Sequence, residues 1–150
     1  VYGYGKSVWA MIDLDTRQPA DILAVRGGLI TEYIETEYSC PIEKSSRVKM
    51  SADATPVRSI DTYYNDVDIN GHINSVKYIE HMLDLWDVAW YKQHRIKRFE
   101  IAYVAESHQG DKLHFYREQR GTETDFNVRI TKSNVDREET EVCRCRVQFV

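Results

Sequence analysis

The sequence has no apolar run long enough to span a membrane, and no secretory signal opens its 150 residues. Basic charge is also short: 20 Lys+Arg stand against 24 Asp+Glu, a net charge of -4, which argues against a nucleic-acid partner. Cysteine is scarce and odd in number, with three in the chain. Cys143 and Cys145 lie two apart in a strand-like run, so they share a face and do not pair. Reduced thiols in a cytosolic protein are the expectation. Internal repeats and low-complexity tracts are absent. The chain opens on Val1 rather than methionine, within sequence that already reads as structured, so a piece of something longer is expected.

What is present is ordinary for a globular protein: 42% apolar and 29% charged residues, enough for one domain with a full core or one domain plus a fragment. The acidity is uneven. Residues 1–75 carry 7 Lys+Arg against 11 Asp+Glu, and residues 76–150 carry 13 of each. One stretch, "YKQHRIKR", gathers Lys92, Arg95, Lys97 and Arg98 without an acid, and reads either as a solvated loop or as a docking patch for an anionic partner.

Residues 7–14, "SVWAMIDL", read as a strand broken by the polar run through Pro19. In "LITEYIETEY", residues 29–38, Ile30, Tyr33, Ile34 and Tyr38 fall at helical spacing. Residues 39–54 are aperiodic and polar, as in a linker. The pattern sharpens from Thr55. "PVRSIDTYY" predicts a strand, and Val76, Ile79, Leu83, Trp86 and Trp90 predict one long, largely buried helix over 74–93. Four strand-like runs follow, "RFEIAYVAES", "DKLHFYREQ", "TDFNVRITKS" and "EVCRCRVQFV", separated by Gly110, Gly121 and "SNVDRE". Short connections make them antiparallel neighbours. The fold class is α+β, an antiparallel sheet wrapped around a central helix.

Between the first strand and the helix lies "YYNDVDINGHINSVKY", residues 63–78. Asp66, Asp68, Asn70 and Gly71 imitate the opening of a calcium loop, but its twelfth position needs a bidentate glutamate and holds Lys77. Calcium is rejected. His72 and His81 are nine residues apart, and His108 and His114 have no short-spaced partner, so no metal site is expected.

The same run, in the form Asp-x-Asp-x-Asn-x-His-x-Asn-x-Val-Lys-Tyr (Asp66, Asp68, Asn70, His72, Asn74, Val76, Lys77, Tyr78), together with Tyr103 and Glu106 of a Tyr-x-x-Glu element, resembles the C-terminal half of acyl-[acyl-carrier-protein] thioesterases of the plant and bacterial type. The resemblance implies tandem hotdog domains. Residues 1–19 would be the closing strand of a first domain, 20–54 an inter-domain linker with a short helix, and 55–150 the C-terminal hotdog domain. It also implies hydrolysis of fatty acyl thioesters in fatty-acid biosynthesis, without a cofactor. The partner would be an acidic acyl carrier protein, docked on Lys92, Arg95, Lys97 and Arg98, with a possible homodimer through the sheets. The place would be a bacterial cytoplasm by preference, or the plastid stroma of a plant. Two alternatives stand beside it: an acyl-CoA thioesterase of the wider hotdog class, and a non-catalytic half serving for binding or dimerisation.

Thioester hydrolysis needs an activated water and donors for the oxyanion. Asn70, His72, Glu106 and Asp68 are the expected catalytic set: Glu106 as base, Asn70 as donor, His72 as proton shuttle and Asp68 as brace. Free N–H groups at the helix start are expected to add oxyanion donors. Gly71, Ile73, Asn74 and Ser107 are expected to contact substrate. Ser107 stands where the family usually has cysteine, so a thiolate nucleophile is not available there and the weight falls on Glu106. Asp66 and Asn74 also read as plain turn and cap residues.

Overall fold

Alternation of apolar and polar side chains puts the two kinds on opposite faces of a strand. In the computed structural model, which describes residues 2–45, 47–134 and 137–150, the alternating runs form a sheet. Its strands are β1 (Arg58–Asp61), β2 (Ile96–Tyr103), β3 (Lys112–Gln119), β4 (Asp125–Asn134) and β5 (Arg137–Phe149), in the antiparallel order β1-β3-β4-β5-β2. Cross-strand pairs such as Phe115–Ile130, Val128–Cys145 and Phe126–Val147 set the register and give the sheet one apolar face. Val135 and Asp136, in the expected turn between β4 and β5, lie outside the described residues.

Two helices, α1 (Ser75–Leu83) and α2 (Val88–Gln93), supply the other layer. Tyr78 and Met82 of α1 join Leu113, Phe115, Val128 and Ile130 in the core. Each such side chain contributes about 1.5–3 kcal/mol by leaving water.

The single helix expected over 74–93 is thus two. Asp84 ends the first, and Asp87 caps the second by accepting from Trp90 N (2.8 Å). Between them Arg117 Nη1 donates to Leu85 O at 2.6 Å, and Trp86 packs edge-on against Phe126 and Phe149 at 5.2 and 5.0 Å. Tertiary contacts and a second Asx cap outweigh continued helical spacing. The helical layer is also less buried than its composition suggests, with Val76 51% and Val88 72% exposed.

The chain divides into two compact units, one ending at Lys44 and one beginning at Ser45. In the first, residues 7–14 form no strand: a turn centred on Asp13, which accepts from Asp15 N, Thr16 N and Thr16 Oγ1, leaves one bridge, Ile12 to Pro19. The helix expected over 29–38 is replaced by a 3-10 stretch, Ile22–Tyr33, interrupted between Val25 and Gly28. Ile30, Tyr33, Ile34 and Tyr38 are all exposed, and a short amphipathic helix without a surface to cover is marginal. In the second unit, Val48 is buried and Ser51 N donates to Glu118 Oε1 (3.0 Å), so residues read as linker lie on the sheet.

Candidate active site

The polar run folds as a series of nested turns. A 3-10 turn, Tyr64–Asp66, leads into an antiparallel bridge between Val67 and Ile73. Asp68 Oδ1 accepts from Asn70 N (2.8 Å) and His72 N (3.2 Å), and Asp68 N donates to His72 O (2.8 Å). Desolvation pushes the Asp68 carboxyl up, but these N–H groups, the His72 ring and the Asn70 amide together hold it below its ordinary value. Gly71 closes the turn at φ 83, a left-handed conformation that favours glycine. Asn74 Oδ1 then caps α1 by accepting from Val76 N (3.0 Å).

This bonding changes the expected electrostatics. Asn70 N and His72 N go to Asp68 Oδ1, Gly71 N to Asp68 O, Ile73 N to Ser107 O, and Asn74 N to Asp66 O. Val76 N and Lys77 N go to Asn74. The turn and the helix start therefore spend most of their donors on their own folding; Ile69 N and Ser75 N stand outside these bonds. Of the main-chain donors expected here, Ser75 N at the helix start and Ile69 N remain, beside the side chains of Asn70 at the exposed tip and of His72.

Glu106 comes from a different segment. Strand β2 stops at Tyr103 because Val104 N and Ala105 N both turn to Val142 O (2.7 and 3.2 Å), so Glu106 lies on a loop rather than on the expected strand. The loop is well tied. Ile73 N donates to Ser107 O (2.8 Å), Lys132 Nζ donates to Glu106 O (2.6 Å), and Thr62 Oγ1 donates to Asp111 O (2.7 Å). Asp111 Oδ2 accepts from His108 N (2.9 Å). The result brings His72 Nε2 to 3.4 Å from Glu106 Oε2, with the side chains 28% and 58% exposed. The His108 ring stands edge-on to His72, centroids 5.1 Å apart.

The remaining expected residues separate into groups. Ser107 is fully buried and lies beside the Tyr78 phenol. Burial pushes the Tyr78 phenol up to about 12. Ile73 is a core residue, and Asn74 caps. Asp66 Oδ1 lies 3.4 Å from His81 Nε2. Among the described residues no three His, Cys, Asp or Glu side chains converge as metal ligands. In the basic cluster Lys92, Arg95 and Lys97 are exposed, but Arg98 Nε donates to Glu100 Oε1 at 2.7 Å and leaves the patch.

The sequence reading missed Lys132, His108 and the His81–Asp66 pair. No local signal marks Lys132, which acts across the sheet. His81 is seven residues beyond Asn74, two turns along the face that looks back at the run, and that spacing could have found it.

The description "Acyl-ACP thioesterase C-terminal domain" matches residues 48–150. No curated protein matches the sequence. Among solved structures, an acyl-ACP thioesterase from Bacteroides thetaiotaomicron is 45% identical with a TM-score of 0.80, over 93% of this chain and 53% of that one. The 12:0-ACP thioesterase from Umbellularia californica has 20% identity and a TM-score of 0.70, over 93% and 52%. A hexameric hotdog fold thioesterase of Campylobacter jejuni shares the fold at 16% identity and a TM-score of 0.55, over 63% and 80%. The chain spans about half the length of the first two. Its sheet and helix are those of a hotdog fold, and the chain belongs to the acyl-ACP thioesterase family, with residues 48–150 as the C-terminal domain.

Proposed function

We propose that the protein hydrolyses fatty acyl-[acyl-carrier-protein] to free fatty acid and carrier protein, in fatty-acid biosynthesis in a bacterial cytoplasm. The observation that carries this is the 3.4 Å approach of His72 Nε2 to Glu106 Oε2 beside an exposed Asn70. Glu106, through its contact with His72, takes a proton from water as the water oxygen attacks the thioester carbon. The Asn70 amide donates to the oxyanion. When the C–S bond breaks, the proton passes to the leaving sulfur, giving a carboxylic acid and a thiol. Asp68 holds Asn70 and His72 at the turn. Ile69, Val76, Tyr103 and Val104, all exposed, give apolar surface near the pair for the acyl ester.

Lys92, Arg95 and Lys97 are the docking patch for the acidic carrier protein in this reading. Residues 1–19 belong to a first hotdog domain, residues 20–47 connect it to the second, and a homodimer forms through the sheets. No helix among the described residues is long and apolar enough to cross a membrane.

Acyl-ACP hydrolysis by three variants tests the scheme. Glu106→Gln should lose about 10²–10⁴-fold in kcat. Asn70→Ala should lose about 10²–10³-fold. Ser107→Ala should keep most activity. An inactive Ser107→Ala beside an active Glu106→Gln sinks it.

A further inference from the structure

Arg129 of β4 and Arg144 of β5 stand directly opposite each other across the strands. Both alternate with the core residues Val128, Ile130, Cys143 and Cys145, so they point away from the sheet face that α1 covers. Like charges placed this way repel. Over this face runs the segment 47–50, anchored where Asn127 Nδ2 donates to Lys49 O (3.0 Å). Beneath it is a cavity of about 330 Å³ whose charged lining is Arg47, Lys49, Arg129, Arg144 and Glu141.

Four cations therefore face one carboxylate, and that carboxylate is engaged by Arg144. Glu139, whose charge also reaches Arg129, is held by the hydroxyls of Tyr116 and Thr131. Glu100, on an adjoining smaller recess, is paired with Arg98. Arg47, Lys49 and Arg129 form no ion pair within 4.0 Å among the described residues. The Arg129 guanidinium lies over the Tyr116 ring at 4.4 Å, and its Nε is buried with no hydrogen-bond partner among the described residues. A buried charged donor left unmatched is costly, and native structures match such groups.

We propose that this cavity binds a phosphate ester of a small molecule, at a site separate from the His72–Glu106 pair. The charge selects the ligand. A single carboxylate would leave most of the cationic lining uncompensated, whereas a phosphomonoester brings about -1.5 to -2 charges and three acceptor oxygens at neutral pH. Arg129 supplies a planar fork suited to two of those oxygens. The volume is at the small end of metabolite pockets, as suits a small ester. Because Arg47 and Lys49 come from one segment and Arg129 and Arg144 from the sheet, the bound ester clamps the segment to the sheet.

Calorimetry and thermal unfolding of the full chain, with pyrophosphate and inorganic phosphate as probes and acetate and chloride at matched ionic strength, test this. The expected result is saturable binding and a raised Tm with the phosphate probes alone, with affinity lowered about tenfold or more in Arg129→Gln and in the double variant Arg47→Gln, Lys49→Gln. The double variant changes only exposed side chains, so it decides the matter if Arg129→Gln fails to fold. No saturable phosphate binding to the folded wild type, or undiminished binding in the double variant, overturns the site. Acetate binding as tight as phosphate overturns the phosphate assignment.

Discussion

His72 Nε2 and Glu106 Oε2 lie 3.4 Å apart although one belongs to the turn before α1 and the other to the loop after β2. Groups that handle one proton do not fail independently. His72→Gln and Glu106→Gln should each lower kcat strongly, and the double variant should fall within a few-fold of the weaker single. Steady-state kinetics on acyl-ACP check this; multiplicative losses would mean that the two residues do not act as a unit.

Thiol reactivity should divide the three cysteines. Cys143 and Cys145 are fully buried on β5, while Cys40 is exposed. Burial pushes the Cys143 thiol up to about 12, with the Glu141 charge adding to it, and raises Cys145 further in the same direction. An alkylating reagent at pH 8 should label Cys40 rapidly and the other two only after unfolding, as peptide mass mapping would record.

Asp125 gives stability a pH dependence. Arg146 donates to it twice, Nε at 3.0 Å and Nη2 at 2.7 Å, and Gln148 Nε2 adds a third bond at 3.1 Å. The Arg146 bonds hold the Asp125 carboxyl below the usual carboxylate range against the desolvation that raises it. A depressed folded-state pKa means that the stabilisation is complete above the unfolded value of about 3.9 and fades as pH falls through the folded one. Asp125→Asn should cost about 2 kcal/mol at pH 7 in urea unfolding, and the gap to wild type should shrink below about pH 4.

Reversal of Lys92, Arg95 and Lys97 to glutamate should raise KM for acyl-ACP about tenfold and change KM for a short acyl-CoA little, with the effect fading at high salt. Equal changes for both substrates would remove the docking patch. Arg98 is left out of this set because its guanidinium is committed to Glu100.

That pairing was open to a reader of the sequence, since residues two apart on a strand share a face. The strands were legible for the same reason: alternation such as Cys143, Cys145, Val147, Phe149 is local. The turn chemistry of Asp68 and Gly71 was legible from residue type. The break at 84–87 was not, because Trp86 keeps helical spacing and only Phe126, Phe149 and Arg117, far along the chain, pull that segment out of register. Glu106 was visible through family resemblance alone; as one carboxylate after a strand it does not differ locally from Glu100 or Glu118. Nor did the sequence reveal that most main-chain donors around Asn70 are consumed in folding the turn, which depends on where Ser107 O and Asp66 O arrive.

The hydrogen bond from Ile73 N to Ser107 O joins the two halves of the proposed site through main-chain atoms on both sides. Short of proline at position 73, no exchange of side chains removes it. Presentation and chemistry are thereby uncoupled. The residues at 72 and 106 can be replaced by other acids, bases or nucleophiles while the spacing between their positions is inherited unchanged, which makes this corner of the fold a socket for new reactivity.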